Sequence, residues 1–208
     1  MSSDDVLRHC EALSSALSIP VAADFENGFA NNIDDLANNV RLAAATGLAG
    51  CSIEDWSGEE IYETGAAIER IAAAAEAAHA APTPIVLTAR AENLIHGVDD
   101  LDDTIARLNA YRSAGADVLF APGLRTTDAI KAVTTSVDGP VNVLLSAGLP
   151  TVAEAAAAGA ARISVGGSLS IVAYAALVEA ATELRDAGTH ERINEAMKSP
   201  ASIRAAFG

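Results

Sequence analysis

The residues best placed to do chemistry lie in Ile19-Pro-Val-Ala-Ala-Asp-Phe-Glu-Asn-Gly-Phe29, where an apolar run breaks into two carboxylates, Asp24 and Glu26, and then into Asn27-Gly28. A short apolar run bounded by turn residues predicts a buried strand. In a parallel α/β protein such acids sit at the C-terminal end of a strand, the edge that carries chemistry. Residues two apart on a strand face one way, so Asp24 and Glu26 are expected to point together. Two carboxylates converging in a partly closed site repel unless a cation or a shared proton relieves them. Oxygen-only ligands of this kind suit Mg2+, with Mn2+ as the alternative. A solvated acidic turn explains a lone Asp-x-Glu equally well. A second acidic strand end favours the metal.

That second end is Glu54-Asp55, which closes the apolar stretch Leu48–Ile53. Adjacent parallel strands lie about 4.8 Å apart, so acids at both ends can share one cation, partly through water. Arg90 ends the next stretch, Pro84–Ala89, and supplies a rigid fork for a carboxylate or phosphate. Acid, acid and base on successive strand ends describe a metal beside an anion clamp. A salt-bridge layer closing the top of a barrel is the competing structural reading.

Weaker candidates follow along the chain. Asn142, in the fifth strand, offers an amide to a second anionic group or caps a turn. Gly166-Gly167-Ser168 opens a helix after the last strand, and its backbone N–H groups suit an anion. Taken as a phosphate cup, it would belong to a phosphosugar barrel. His96 and His190 are isolated and read as surface residues, Trp56 as a wall or packing residue, and Cys51 as core.

The elements that position these residues alternate. Helices are expected over Ser2–Ser18, from Asn31/Asn32 to Gly47, over Thr64–Ala81, Asp100–Ser113, Thr127–Val137 and Val152–Ala158. Two more, Ser170–Ala187 and His190–Phe207, close the chain. Strands are expected at Pro20–Asp24, Leu48–Ile53, Pro84–Ala89, Asp117–Phe120, Val141–Leu145 and Arg162–Val165. Helix–strand alternation implies a parallel sheet with helices outside. No GxGxxG follows the first strand, and polar residues end all six, which favours a barrel mouth over a single crevice. The expected fold is therefore α/β, of the (β/α)8 TIM-barrel type, with about six βα units visible in one domain. Two strands are lacking.

Composition narrows the partners. The chain has 208 residues, with 28 Asp+Glu against 13 Lys+Arg, a net charge of −15 that argues against nucleic acid and anionic membranes. Cys10 and Cys51 form no CxxC or Cys/His cluster, which excludes the usual zinc and disulfide frameworks. No signal sequence and no uncharged apolar run of roughly 18 residues is present. A soluble, cytoplasmic protein is expected.

Asp24-Phe-Glu-Asn-Gly-Phe29, Ile53-Glu-Asp55, Thr88-Ala-Arg-Ala-Glu92 and Ala114-Gly-Ala-Asp117 resemble, in order and spacing, the isocitrate lyase/phosphoenolpyruvate mutase superfamily. The resemblance implies a (β/α)8 barrel, a Mg2+ site and small α-keto or α-hydroxy carboxylate substrates that react through enolates. It also implies a homo-oligomer, dimer or tetramer, in which a C-terminal helix, here 189–208, is exchanged between subunits. By the same resemblance Asp24 is the direct metal ligand, Glu26 and Glu54 hold the metal's waters, Arg90 binds substrate and stabilises the enolate, and Asn142 binds a substrate carboxylate.

The departures bear on activity. Where the lyases carry a mobile Lys-Lys-Cys-Gly-His loop with its acid/base Cys, this chain has Trp56-Ser-Gly-Glu-Glu-Ile-Tyr-Glu-Thr. Pro122 stands where relatives often have Glu or His. By this resemblance the chain begins after the family's first two strands, which normally bring a carboxylate-binding Ser-Gly-Gly loop and another acid. Isocitrate and methylisocitrate cleavage are therefore not expected. Two readings remain: a Mg2+-dependent lyase or decarboxylase acting on an oxaloacetate-like acid, and a catalytically impaired oligomer that binds a metabolite.

Overall fold

The computed structural model describes residues 2–145, 148–198, 201 and 205. Its first unit, Met1–Ser164, carries the sheet. The elements run α1 (Ser3–Ala16), β1 (Ala22–Asp24), α2 (Ile33–Ala45), β2 (Gly50–Glu54), α3 (Thr64–His79), β3 (Val86–Arg90), a 3-10 turn at Asn93–His96, α4 (Leu101–Ser113), β4 (Val118–Phe120), α5 (Thr127–Ser136), β5 (Val141–Leu144), α6 (Val152–Ala157) and β6 (Arg162–Ser164).

The helix starts follow from local chemistry. Asn32, Asp100, Thr126 and Thr151 each accept a hydrogen bond from the backbone N–H three residues on. Ser2 and Asp5 form a reciprocal capping box. Each such cap is worth about 1 kcal/mol. Acidic residues fill the first turns of α1, α2 and α4, where the positive end of the helix dipole favours them.

The strands pair in sequence order, β1-β2-β3-β4-β5-β6, and every pairing is parallel. Side chains alternate across this sheet. Cys51, Ile53, Leu87, Ala89, Leu119, Val141 and Val143 enter the core together with Leu36, Ile71, Leu108 and Ile130 from the helices. The buried face of α3 is mostly alanine, which lets α3 pack closely. The opposite sheet face carries Asp24, Ser52, Glu54, Thr88, Arg90, Phe120, Asn142, Arg162 and Ser164. Among the described residues β1 and β6 each pair on one side only, so the expected barrel is present as a six-stranded half-barrel sheet.

The strands are shorter than expected. β1 starts at Ala22 rather than Pro20 and ends at Asp24 as expected, and beyond it Glu26 takes a left-handed φ of 47°. Glu26 therefore lies in a turn, and the two-residue strand repeat that was to align it with Asp24 does not apply.

The second unit, Val165–Gly208, holds α7 (Ser168–Ala187) and α8 (Glu191–Ala196). No residue of α7 is buried. Of the expected terminal helix, residues 199–200, 202–204 and 206–208 lie outside the described residues.

Candidate active site

Register brings the strand-end charges together. Asp24 is paired with Ser52, and Glu54 with Arg90, so acids and base occupy neighbouring strand tips. The Arg90 guanidinium bridges three carboxylates: Nη1 lies 2.6 Å from Asp24 Oδ1, Nη2 3.2 Å from Glu54 Oε2, and Nε 2.8 Å from Glu92 Oε1. Ser52 Oγ donates to the same Asp24 oxygen at 3.2 Å. The Phe120 ring lies 5.4 Å from Arg90 Cζ, a cation–π contact that limits where the guanidinium can lean.

The environments of the acids differ. The Asp24 side chain is 66% exposed, whereas those of Glu54 and Glu92 are 12% and 2% exposed. Burial pushes the Glu54 carboxyl up to about 7; Arg90 opposes that rise, while Glu92, Asp24 and Glu26 add to it. Burial also raises Glu92, against the pull of Arg90. Glu26 is exposed, and its backbone N–H lies 3.4 Å from Asp24 Oδ1.

The turn that carries Asp24 and Glu26 is fixed from behind by a residue the sequence did not single out. Arg70 of α3 is buried and donates to the carbonyls of Asn27 (2.7 Å), Ala30 (2.7 Å) and Asn31 (3.2 Å). Its guanidinium lies over the Tyr62 ring, 4.6 Å from the centroid. Asn39 of α2 holds the Gly28 carbonyl at 2.8 Å. A lone Arg within an alanine-rich helix is the one sequence signal that could have marked this clamp.

Asp55 has a different role from its neighbour. It is 1% exposed, and its carboxylate accepts from the Glu92 N–H at 2.8 Å, from Arg107 Nη1 at 3.1 Å and from the Tyr111 hydroxyl. Burial, then the Asp55 charge, raises Tyr111 and keeps it a donor. These partners take Asp55 out of the group expected to share a cation.

The segment after Asp55 is a pinned hairpin. Trp56 and Ile61 form an antiparallel bridge, the Ser57 N–H donates to the Glu60 carbonyl, and the Tyr62 N–H donates to the Asp55 carbonyl. The Trp56 indole stacks on His96, with centroids 3.6 Å apart and planes 8° from parallel. His96 Nε2 is 3.9 Å from Glu92 Oε2. His96, expected as an isolated surface residue, thus borders the site.

Asn142 is fully buried, and both ends of its amide are engaged: Nδ2 donates to Ser164 Oγ and Oδ1 accepts from Arg162 Nη1, each at 3.0 Å. Gly166 (φ 51°) and Gly167, the residue capping α7, fall in the second unit.

Among the described residues no three His, Cys, Asp or Glu side chains form a ready-made metal cage. The donor set nevertheless fits a hard divalent cation. Asp24, Glu54 and Glu92 put three carboxyls around one guanidinium, with Glu26 in the turn beside Asp24, so the acids outnumber the one cation that contacts them. Mg2+ takes few protein ligands and keeps its waters, which suits an exposed Asp24 beside a recessed Glu54.

Comparison with known proteins places the fold in a family. The family model described as phosphoenolpyruvate phosphomutase matches residues 1–185. A Burkholderia cenocepacia J2315 protein, solved as a candidate lyase/mutase, superposes with a TM-score of 0.94 at 47% identity, covering 100% of this chain and 77% of that one. The structure of 2,3-dimethylmalate lyase, a PEP mutase/isocitrate lyase superfamily member, aligns with a TM-score of 0.81 at 26% identity, covering 98% of this chain and 78% of that one. Oxaloacetate decarboxylase 2 of Pseudomonas fluorescens (strain Pf0-1) is 29% identical over 166 residues, 78% of this chain and 56% of the relative. The chain thus spans a little over half the length of that curated relative. The family match over residues 1–185, together with the superposition of the sheet on these proteins, identifies the chain as a member of the PEP mutase/isocitrate lyase superfamily.

Proposed function

We propose that this chain performs metal-dependent carbon–carbon lyase chemistry on a small α-keto or α-hydroxy carboxylate, with decarboxylation of an oxaloacetate-like acid as the leading case. The observation that carries the reading is Arg90 held among Asp24, Glu54 and Glu92 at the strand tips. Relatives named as oxaloacetate decarboxylase and 2-methylisocitrate lyase support the reaction class.

Asp24 would bind Mg2+ directly, with Glu26 and Glu54 holding its waters. When bound, the ion supplies Lewis-acid polarisation of the substrate's keto and carboxylate oxygens. The residues of the chain do the rest. Arg90, fixed in orientation by Glu92, offers N–H donors to the oxygen on which enolate charge develops, a stabilisation that grows toward the transition state. Loss of CO2 from a β-keto acid needs no base, so the reaction does not require the acid/base loop that the hairpin replaces.

The test is pyruvate formation from oxaloacetate with Mg2+, measured against metal-bearing buffer without protein. Arg90→Met is expected to lower the rate by a factor on the order of 100 or more, as loss of one oxyanion donor does. A wild-type rate equal to the buffer's refutes the proposal.

One observation favours the second reading, an impaired metabolite-binding member of the family. All three nitrogens of Arg90 face protein carboxylates, so a substrate must displace at least one of them. Under that reading oxalate, an enolate mimic, binds in calorimetry only when Mg2+ is present, while oxaloacetate does not turn over.

A further inference from the structure

The hairpin after β2 and the turn after β3 meet on a side chain that the chemistry proposed above leaves unused. His96 ends the 3-10 turn Asn93–His96, and its N–H donates back to the Glu92 carbonyl at 3.2 Å. Buried Asn93 holds that turn, its Nδ2 donating to Thr104 Oγ1 at 2.7 Å and to the Asp100 carbonyl at 3.2 Å. The turn brings the imidazole back to the Glu92 carboxylate, where Nε2 lies 3.9 Å from Oε2. The face of the ring is taken by the Trp56 indole. A ring pinned face-on to another offers only its edge elsewhere, and the edge bearing Nε2 is the one turned to Glu92. Trp56 is itself tied, because the carbonyl of Ser57 beside it accepts from Asn27 Nδ2 at 3.4 Å.

Glu92 needs a second partner more than its neighbours do. It is the most buried of the three acids that share the Arg90 guanidinium. A charge left unbalanced costs most where water is kept away. Oε1 accepts from Arg90 Nε, and Oε2 faces His96. Burial raises the Glu92 carboxyl, Arg90 pulls it down most strongly, and His96 pulls the same way. The backbone of Glu92 is fixed as well, its N–H donating to Asp55. Were packing the only need at this rim, a phenylalanine would stack on Trp56 with no ring nitrogen to satisfy.

We propose that His96, backed by Trp56, is a positioning residue for the reaction: it holds Glu92 as the charged partner of Arg90, and Glu92 aims the guanidinium at the oxygen on which enolate charge develops. His96 touches no reacting atom and acts through Glu92. This rests on the lyase reading above and adds to it the residue that keeps its arginine in line.

Oxaloacetate decarboxylation in Mg2+, followed with three variants, tests this. His96→Phe keeps a ring on Trp56 and removes the nitrogen. Its kcat is expected to fall about tenfold or more with KM within about threefold of wild type, because a misaimed arginine forfeits contacts made in the transition state. Mg2+ affinity by calorimetry is expected to stay unchanged, since Asp24, Glu26 and Glu54 are untouched. His96→Gln and His96→Met place side chains of nearly equal size, of which only glutamine can donate to Glu92. The glutamine variant is expected to keep several times the kcat of the methionine variant, and this pair carries the test if His96→Phe does not fold. Wild-type kcat in His96→Phe, equal kcat in the other two, or a kcat loss matched by lost Mg2+ affinity overturns the role of His96 and leaves the lyase reading standing. Wild-type turnover no faster than buffer overturns the lyase reading, and this inference with it.

Discussion

At the scale of single residues, Glu54 is placed against its own stability. Its carboxyl is raised from 4.5 to about 7, chiefly by burial. Between those values the folded chain holds a proton that the unfolded chain has released, so stability falls as pH rises through the window and the full cost is present above about 7. That cost is about 3 kcal/mol at most. Glu54→Gln is expected to be the more stable protein at pH 8 in metal-free buffer, and to lose on the order of 1–3 kcal/mol less than wild type between pH 5 and pH 8 in urea unfolding. Parallel stability curves would refute it. Asp24, Glu54 and Arg90 were legible in the sequence because a strand end fixes where a side chain goes. The structural role of Asp55 was not. Its partners, Arg107 and Tyr111, lie 52 and 56 residues away in the chain and meet it only through the packing of α4.

At the scale of elements, the site depends on a turn that α3 holds in place. Glu26 at φ 47° and Phe29 at φ 52° are non-glycine residues in left-handed conformations, and each such residue costs on the order of 1 kcal/mol. Arg70 opposes that strain through its three carbonyl contacts. Arg70→Met is expected to cost on the order of 3 kcal/mol in urea unfolding, by orphaning buried carbonyls, and to weaken Mg2+ binding as Asp24 loses its fixed position. Arg70→Lys should recover part of both. Unchanged metal affinity in a folded Arg70→Met protein would show that the turn holds its shape without the clamp. The helices were readable because Asn32, Asp100, Thr126 and Thr151 announce their starts. The strands were read one or two residues long, mostly at their starts, and nothing local shows that Glu26, just past the end of β1, turns out of the strand direction.

At the scale of the whole molecule, six parallel strands in sequence order were legible from the alternation of elements, and the superfamily from four motifs. The expected homo-oligomer stands as a proposal. Leu169, Ile171, Val172, Tyr174, Leu177 and Val178 on α7 are 61–73% exposed, more apolar surface than a soluble chain leaves bare without a partner. Light scattering is expected to give a multiple of 21.1 kDa that persists in high salt, because the contact is apolar. A 21.1 kDa particle at micromolar concentration would count against it. No helix among the described residues is long and apolar enough to cross a membrane. The hairpin between Trp56 and Ile61 bears on the proposed reaction. A segment bridged at its base and stacked on His96 is tied down beside the strand tips rather than hung free as a cover. Under the proposed decarboxylation, solvent would then reach the enolate, ligand exchange would not wait for a gate, and the hydrogen that completes the product would come from water without facial preference.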